Sequence, residues 1–217
     1  MCDKAGKLRR HDMTETAFWD RLAPRHALRP ISNLEAYEAT LARVKTYLSD
    51  TDHALELGCG TGSTALLLAP FVKEYEGTDI SGAMVDMALE KTWNASVPNV
   101  SFRKAGVNAA EYETGRYDKI LAFNLLHLVP DTEATLEMVR DLLPPGGIFI
   151  SKTPCIGGKW YYRPMVSVMR LIGKAPFVRF LKVSELDRMM EAAGFEIVET
   201  GFYPPSTPSR FIVARKL

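Results

Sequence analysis

Between His53 and Leu68 the chain reads His-Ala-Leu-Glu-Leu-Gly-Cys-Gly-Thr-Gly-Ser-Thr-Ala-Leu-Leu-Leu, and no other segment restricts the fold as tightly. The apolar run Ala54 to Leu57 has the length and character of a buried strand. Glycines then stand at alternate positions, Gly58, Gly60 and Gly62, before the apolar run Ala65 to Leu68 opens a helix. Glycine turns the chain sharply and lets a ligand approach the backbone with no Cβ in the way. The helix start adds unpaired N–H groups and a positive dipole end at the same spot. A strand, a glycine turn and a helix in this order hold a nucleotide-like ligand at the carboxyl end of the strand.

The spacing narrows the ligand. A dinucleotide fingerprint, G-x-G-x-x-G, would need glycine where this chain has Ser63. Here the pattern is E-x-G-x-G-x-G, with Glu56 two residues before the first glycine. A carboxylate at a strand end suits an ammonium group better than a pyrophosphate. Asp79, in Glu76-Gly-Thr-Asp-Ile80, follows near the separation of about 20 residues at which an acid bonds ribose hydroxyls. Taken singly, the glycines could form a plain tight turn, and Asp79 could merely cap a helix starting near Ser81. Together they describe an adenosine carrying a charged amino-acid arm.

These residues, with three later stretches in the same order, resemble the class I S-adenosylmethionine (SAM)-dependent methyltransferases, in particular the small-molecule group with a single Rossmann-like domain. The matching segments are ALELGCGTG, then EGTDIS with Met84 nearby, YDKILAFNLLHLVPD over residues 117–131, and LLPPGGIFI over 142–150. The likeness is close over about residues 50–155 and looser over 184–217. It implies a doubly wound, mostly parallel seven-stranded sheet with an antiparallel last strand and helices on both faces, and SAM as cofactor. Glu56 would take the amino group, Asp79 the ribose, and Gly58, Cys59, Gly60 and Gly62 the turn around the ligand. Ile80 and Met84 would bracket the adenine, and Asn124 and Leu125 would line the methionine arm. One departure stands out. Related enzymes often carry an Asp after the third strand for the adenine amino group, whereas this chain has Lys104-Ala-Gly-Val-Asn108. Gly106 and Val107 would then offer backbone groups and apolar contact in its place, with Asn108 nearby.

The implied reaction is SAM-dependent methyl transfer to an N, S or O nucleophile of a small-molecule acceptor by in-line displacement, driven by positioning and desolvation. Two alternatives stand beside it: an acceptor that is a lipid head group or lipid-soluble ring at a membrane surface, and a SAM-binding protein without turnover. His127 is the histidine nearest the presumed centre, with a structural role weighed against that of a catalytic base. No base dyad and no metal-ligand spacing accompanies it.

The 217 residues fit one α/β domain with a sizeable core. With 27 Lys and Arg against 26 Asp and Glu, the net charge of +1 gives no global pull toward nucleic acid. Cys2, Cys59 and Cys155 stand singly, as in a reducing compartment. The opening residues MCDKAGKLRRHDMTE lack the apolar core of a signal peptide, and no apolar run approaches the roughly 20 residues that span a bilayer. The expectation is a cytoplasmic protein; no oligomeric state follows from the sequence.

Hydrophobic periodicity predicts helices over 14–23, 34–48, 62–71, 82–93, 132–142 and 184–193, with Ser32 or Asn33 capping the second. It predicts strands over 53–58, 74–79, 100–104, 117–123 and 147–153, and a terminal strand pair over 195–203 and 210–216. The crossover after the third strand is short and poorly patterned. Residues 1–50 read as a helical lid, with Phe18 and Trp19 as packing residues and His26 where relatives often have an aromatic; Arg25 is a candidate for the methionine carboxylate. Residues 51–217 read as the SAM-binding domain, with an insert at about 154–183. From Ser151 to Ser184 there is no acidic residue and there are seven basic ones, interleaved with aromatics. Three readings fit: a helix packed on the sheet, a lid whose Trp160, Tyr161 and Tyr162 contact the acceptor, or a helix touching anionic lipid. The balanced overall charge favours the lid.

Overall fold

The computed structural model describes residues 4–31, 33–159, 161–205 and 207–217, with backbone alone over 4–14. Its strands are β1 (His53–Leu57), β2 (Glu74–Asp79), β3 (Val100–Lys104), β4 (Lys119–Phe123), β5 (Ile148–Pro154), β6 (Phe195–Phe202) and β7 (Ser209–Lys216). Its helices are α1 (Lys4–Ala27), α2 (Leu34–Lys45), α3 (Ser63–Leu68), α4 (Gly82–Ala95), α5 (Thr132–Leu142), α6 (Tyr162–Leu171) and α7 (Val183–Ala192). The strands form one sheet in the order β3-β2-β1-β4-β5-β7-β6, and only β7 runs antiparallel to the rest.

Alternating side chains of each central strand feed two cores. Leu55, Leu57, Ile120 and Phe149 pack with Leu136, Leu186 and Phe195 on one face. Ala54, Leu121, Ile150 and Val213 pack with Leu41, Leu68 and Tyr75 on the other. This double burial is why the central strands read as nearly unbroken apolar runs. Three helices start at the carboxyl side of the sheet or beside it with a side-chain cap. Asn33 Oδ1 accepts from Ala36 N at 2.9 Å, Ser81 Oγ from Met84 N at 3.1 Å, and Asp131 Oδ1 from Ala134 N at 3.0 Å. Asn33 is thus the α2 cap, and Ser32 lies outside the described residues.

The seven strands and the helices between them follow the sequence expectations closely. The β3-to-β4 connection carries no helix, as its weak patterning implied. α1 begins ten residues before the expected start, because its opening stretch is polar and offers no hydrophobic period although no proline interrupts it. α2 ends at Lys45, where Thr46 closes it, rather than at residue 48. α6 has no buried residue, so the insert does not pack onto the sheet as an ordinary covering helix. The strand order reverses direction between β1 and β4, which opens a crevice outside their carboxyl ends.

Candidate functional site

A cavity of about 740 Å³ occupies that crevice. Its floor is the turn after β1. Gly60 holds φ at +54°, and a Cβ there would meet only the edge of the His26 ring, 4.0 Å away, so the backbone lies open to a ligand. Gly62 does different work. A Cβ on it would stand 2.7 Å from the Phe102 ring and 2.8 Å from the Ala88 methyl, so this glycine seats the turn against the core and does not line the cavity.

Glu56 sits at the floor, buried, with Tyr75 Oη donating to its Oε2 at 3.0 Å. Burial lifts the carboxyl to about 8, and the nearby Asp79 charge adds to the rise. Such a group gains most from a cation placed against it. At the end of β2, Asp79 accepts from Gly60 N through Oδ2 and from Ser81 N through Oδ1, each at 2.9 Å. These bonds lock the carboxylate at the cavity edge while leaving each oxygen a further lone pair. Burial raises its pKa too, against the pull of the two amides.

The remaining expected ligand-side residues converge on the same walls. Gly58, Cys59, Ile80, Met84, Gly106, Val107, Asn108, Asn124 and Leu125 all line the cavity. Burial pushes the Cys59 thiol far up, which makes it an inert wall residue. Asn124 adopts φ of +56°, a left-handed conformation that asparagine tolerates, where β4 ends. His127 also faces the cavity, and burial lowers its pKa to about 4, so the ring is neutral near pH 7. Its Nδ1 has no hydrogen-bond partner among the described residues.

The rest of the lining includes an apolar group, Trp19, Leu128, Val129, Pro130, Pro176 and Val178, beside the polar Glu15, His127, Asp131 and Thr135. Two segments close this end. α1 supplies Glu15, Trp19 and His26, and Asp20 on the same helix accepts from Ser81 Oγ at 2.6 Å, which pins α1 to the α4 cap. The returning part of the insert supplies Pro176 and Val178. The two are tied together: Phe177 N donates to both Glu15 oxygens at 3.1 and 3.2 Å, and Arg21 donates to Gly173 O at 2.6 Å.

The expected lid contacts are not brought to this cavity. Tyr161 and Tyr162 pack on each other at the start of α6, ring centroids 4.7 Å apart, and neither lines the cavity; Trp160 lies outside the described residues. The cause is a close crossing. Gly157 N donates to Leu181 O at 2.7 Å, and Arg179 N donates to His127 O at 2.7 Å, so the return segment takes the place over the cavity and α6 is thrown outward. Arg25 is not on the wall, whereas Trp19 is. Pro176 and Val178 carried no periodic signal; the only hint was the loop chemistry of Gly173-Lys-Ala-Pro176.

A family model of the methyltransferase domain matches residues 25–200. Over 128 residues, 54% of this chain, it is 36% identical to a highly reducing polyketide synthase of Emericella nidulans, of whose length the match spans 5%. It is 25% identical over 169 residues to the ubiquinone biosynthesis O-methyltransferase of Coxiella burnetii, covering 75% of this chain and 72% of that protein. Among solved structures, a SAM-dependent methyltransferase from Thermotoga maritima superposes with a TM-score of 0.71 at 21% identity, over 94% of this chain and all of that one.

Proposed function

The chain belongs to the methyltransferase domain family, whose cofactor is SAM, and from that premise we propose that it methylates a small-molecule acceptor held in the apolar end of the cavity. One observation carries the reading. Two carboxyls, the buried Glu56 and the part-buried Asp79, line the cavity on either side of an open glycine backbone, an arrangement that fits an ammonium arm and a ribose. The buried Glu56 carboxyl, which Tyr75 bonds but no cation meets among the described residues, and the open space beside Gly60 and Gly106 fit the residues to SAM. Glu56 would hold the amino group, Asp79 the ribose hydroxyls, Ile80 and Met84 the adenine faces, and Asn124 and Leu125 the methionine arm. When bound, SAM supplies a sulfonium methyl group that an acceptor lone pair takes in a single displacement, with no protonation of the leaving group.

The chain's own task is then placement and dryness. Trp19, Leu128, Val129, Pro130, Pro176 and Val178 exclude water around the acceptor, and correct positioning alone is worth roughly 7–11 kcal/mol of the barrier. His127, neutral and with a free Nδ1, is suited to accept a hydrogen bond from an acceptor O–H or N–H and so to orient the lone pair. A group titrating near 4 is a weak base, so this role is orientation, which favours amines, thiolates and easily ionised phenols. Release of S-adenosylhomocysteine (SAH) across amine, thiol and phenol acceptors tests the reading. Turnover on none of them, in a protein that binds SAH, would favour a binding role without catalysis.

A second reading concerns where the acceptor is collected. Met165 and Val168 on α6 and Ile172 at its C-cap are 50%, 58% and 58% exposed, at helical spacing along one stripe with Met169. Lys159, Arg163 and Lys174 are exposed beside it, and no acidic residue occurs from 151 to 184. This pairing of apolar and basic side chains complements an anionic lipid surface. No helix among the described residues is long and apolar enough to cross a membrane.

A further inference from the structure

Beside the main cavity lies a smaller one of about 270 Å³, between α2, the end of β5 and the β6–β7 loop. Thr64, Phe123 and Asn124 line both, so the two share a wall at the end of β4. The smaller lining mixes apolar and aromatic side chains, among them Tyr37, Leu41, Phe123 and Pro204, with neutral polar ones such as Asn33, Thr64 and Thr207. Among the described residues its one charged side chain is Lys152, which β4–β5 pairing sets directly opposite Phe123.

Lys152 is half-buried, yet among the described residues no carboxylate bonds to it. Its Nζ donates to Thr40 Oγ1 at 2.7 Å and to Tyr203 O at 2.8 Å, both neutral oxygens. An ammonium has three N–H donors, so one remains beyond these two partners. The side chain of Tyr203 bonds instead to Glu199, whose carboxylate is also taken up by Arg43 and Tyr47. Burial depresses the Lys152 pKa, with no opposing contribution from an acid. A cation kept out of water without a counter-charge is costly unless an anion joins it.

We propose that the Lys152 cavity is a recognition subsite for one end of the acceptor, seating a carboxylate on an apolar or aromatic molecule whose reacting end lies in the main cavity. Phe123 and Asn124 would then mark the passage between the anion's seat and the methyl donor. This rests on the methyltransferase reading above.

Calorimetry on SAH-loaded protein with benzoate and benzamide tests it, because the two differ only in charge at one group. The wild type should prefer benzoate by roughly tenfold to a hundredfold, the effect of a hydrogen bond to a charged group. Lys152→Met should erase that preference while SAH affinity stays unchanged, and Lys152→Arg should keep part of it. A purely structural lysine, linking α2 to the β6–β7 loop, would change stability and leave the benzoate-to-benzamide ratio alone. Equal binding of the two by the wild type, no measurable benzoate binding, or an intact preference in Lys152→Met overturns the proposal. If Lys152→Met does not fold, the wild-type ratio and Lys152→Arg decide. Failure to bind SAH would instead count against the methyltransferase reading itself.

Discussion

Glu56 is the residue whose chemistry says most about the site. Folded, its carboxyl titrates near 8 because it is buried; in an unfolded chain it would titrate near 4.3. The folded state therefore holds more protons than the unfolded state between those values, and stability falls as pH rises through that window. Glu56→Gln removes the fall, so its ligand-free thermal midpoint should exceed the wild type's at pH 8–9 and match it near pH 5. Binding has the opposite sign. An ammonium group favours the ionised carboxyl, so SAH binding below pH 8 expels a proton and affinity should rise with pH until about 8. Calorimetry in buffers of different ionisation enthalpy reads that proton directly. The variant should show a flat profile and weaker binding above pH 8, and a flat wild-type profile would sink the ammonium role. Glu56 and Asp79 were legible in the sequence because an acid inside an apolar strand or at its end has few structural uses. Lys152 was not, since a lysine on a strand reads as solvated until the fold surrounds it.

At the scale of elements, the contrast is between helices fixed by the sheet and segments fixed by single contacts. α5 was readable because Asp131 caps it and an apolar stripe follows; the covering loop at 173–182 has neither, and is held by Glu15, Arg21 and the His127 carbonyl. Glu15→Gln weakens the acceptor for Phe177 N and the attraction to Arg170, 3.9 Å away. We expect acceptor kcat/KM to drop severalfold with SAH affinity nearly unchanged, because the contact lies at the apolar end. An equal loss in both would mean that α1 and the loop cover the two ligands alike. α6 makes a separate prediction. Wild-type protein should sediment with anionic vesicles in a salt-sensitive manner and ignore neutral ones, since the attraction is screened within about 10 Å at 0.1 M salt. Arg163→Glu with Lys174→Glu should abolish it while sparing turnover on a soluble acceptor. Salt-insensitive binding to both vesicle types would leave the basic residues without a role there.

For the molecule as a whole, alternating strands and helices set the doubly wound sheet, and the order of the motifs set which crevice becomes the site. What the sequence left open was tertiary: which of two inserted arms covers the crevice depends on the close crossing of Gly157 and Leu181, a contact between residues too far apart for any periodicity to register. The same architecture also hosts dinucleotide enzymes, so ligand choice is a property of the entire crevice. Ser63 in place of a third fingerprint glycine, and a buried acid on the floor, should exclude a pyrophosphate that the fold could otherwise seat. SAH at 100 times its Kd should stabilise the folded chain by about 2.7 kcal/mol, since only that state binds it. For a domain of this size each kcal/mol moves the midpoint by about 2–4 °C, which gives a shift of about 5–10 °C in a thermal scan. NAD at the same concentration should give none. Asp79→Ala should lose most of the SAH shift, because a hydrogen bond to a charged group is worth about 1.5–3 kcal/mol. A larger shift with NAD than with SAH would overturn the cofactor assignment, whatever the individual side chains do.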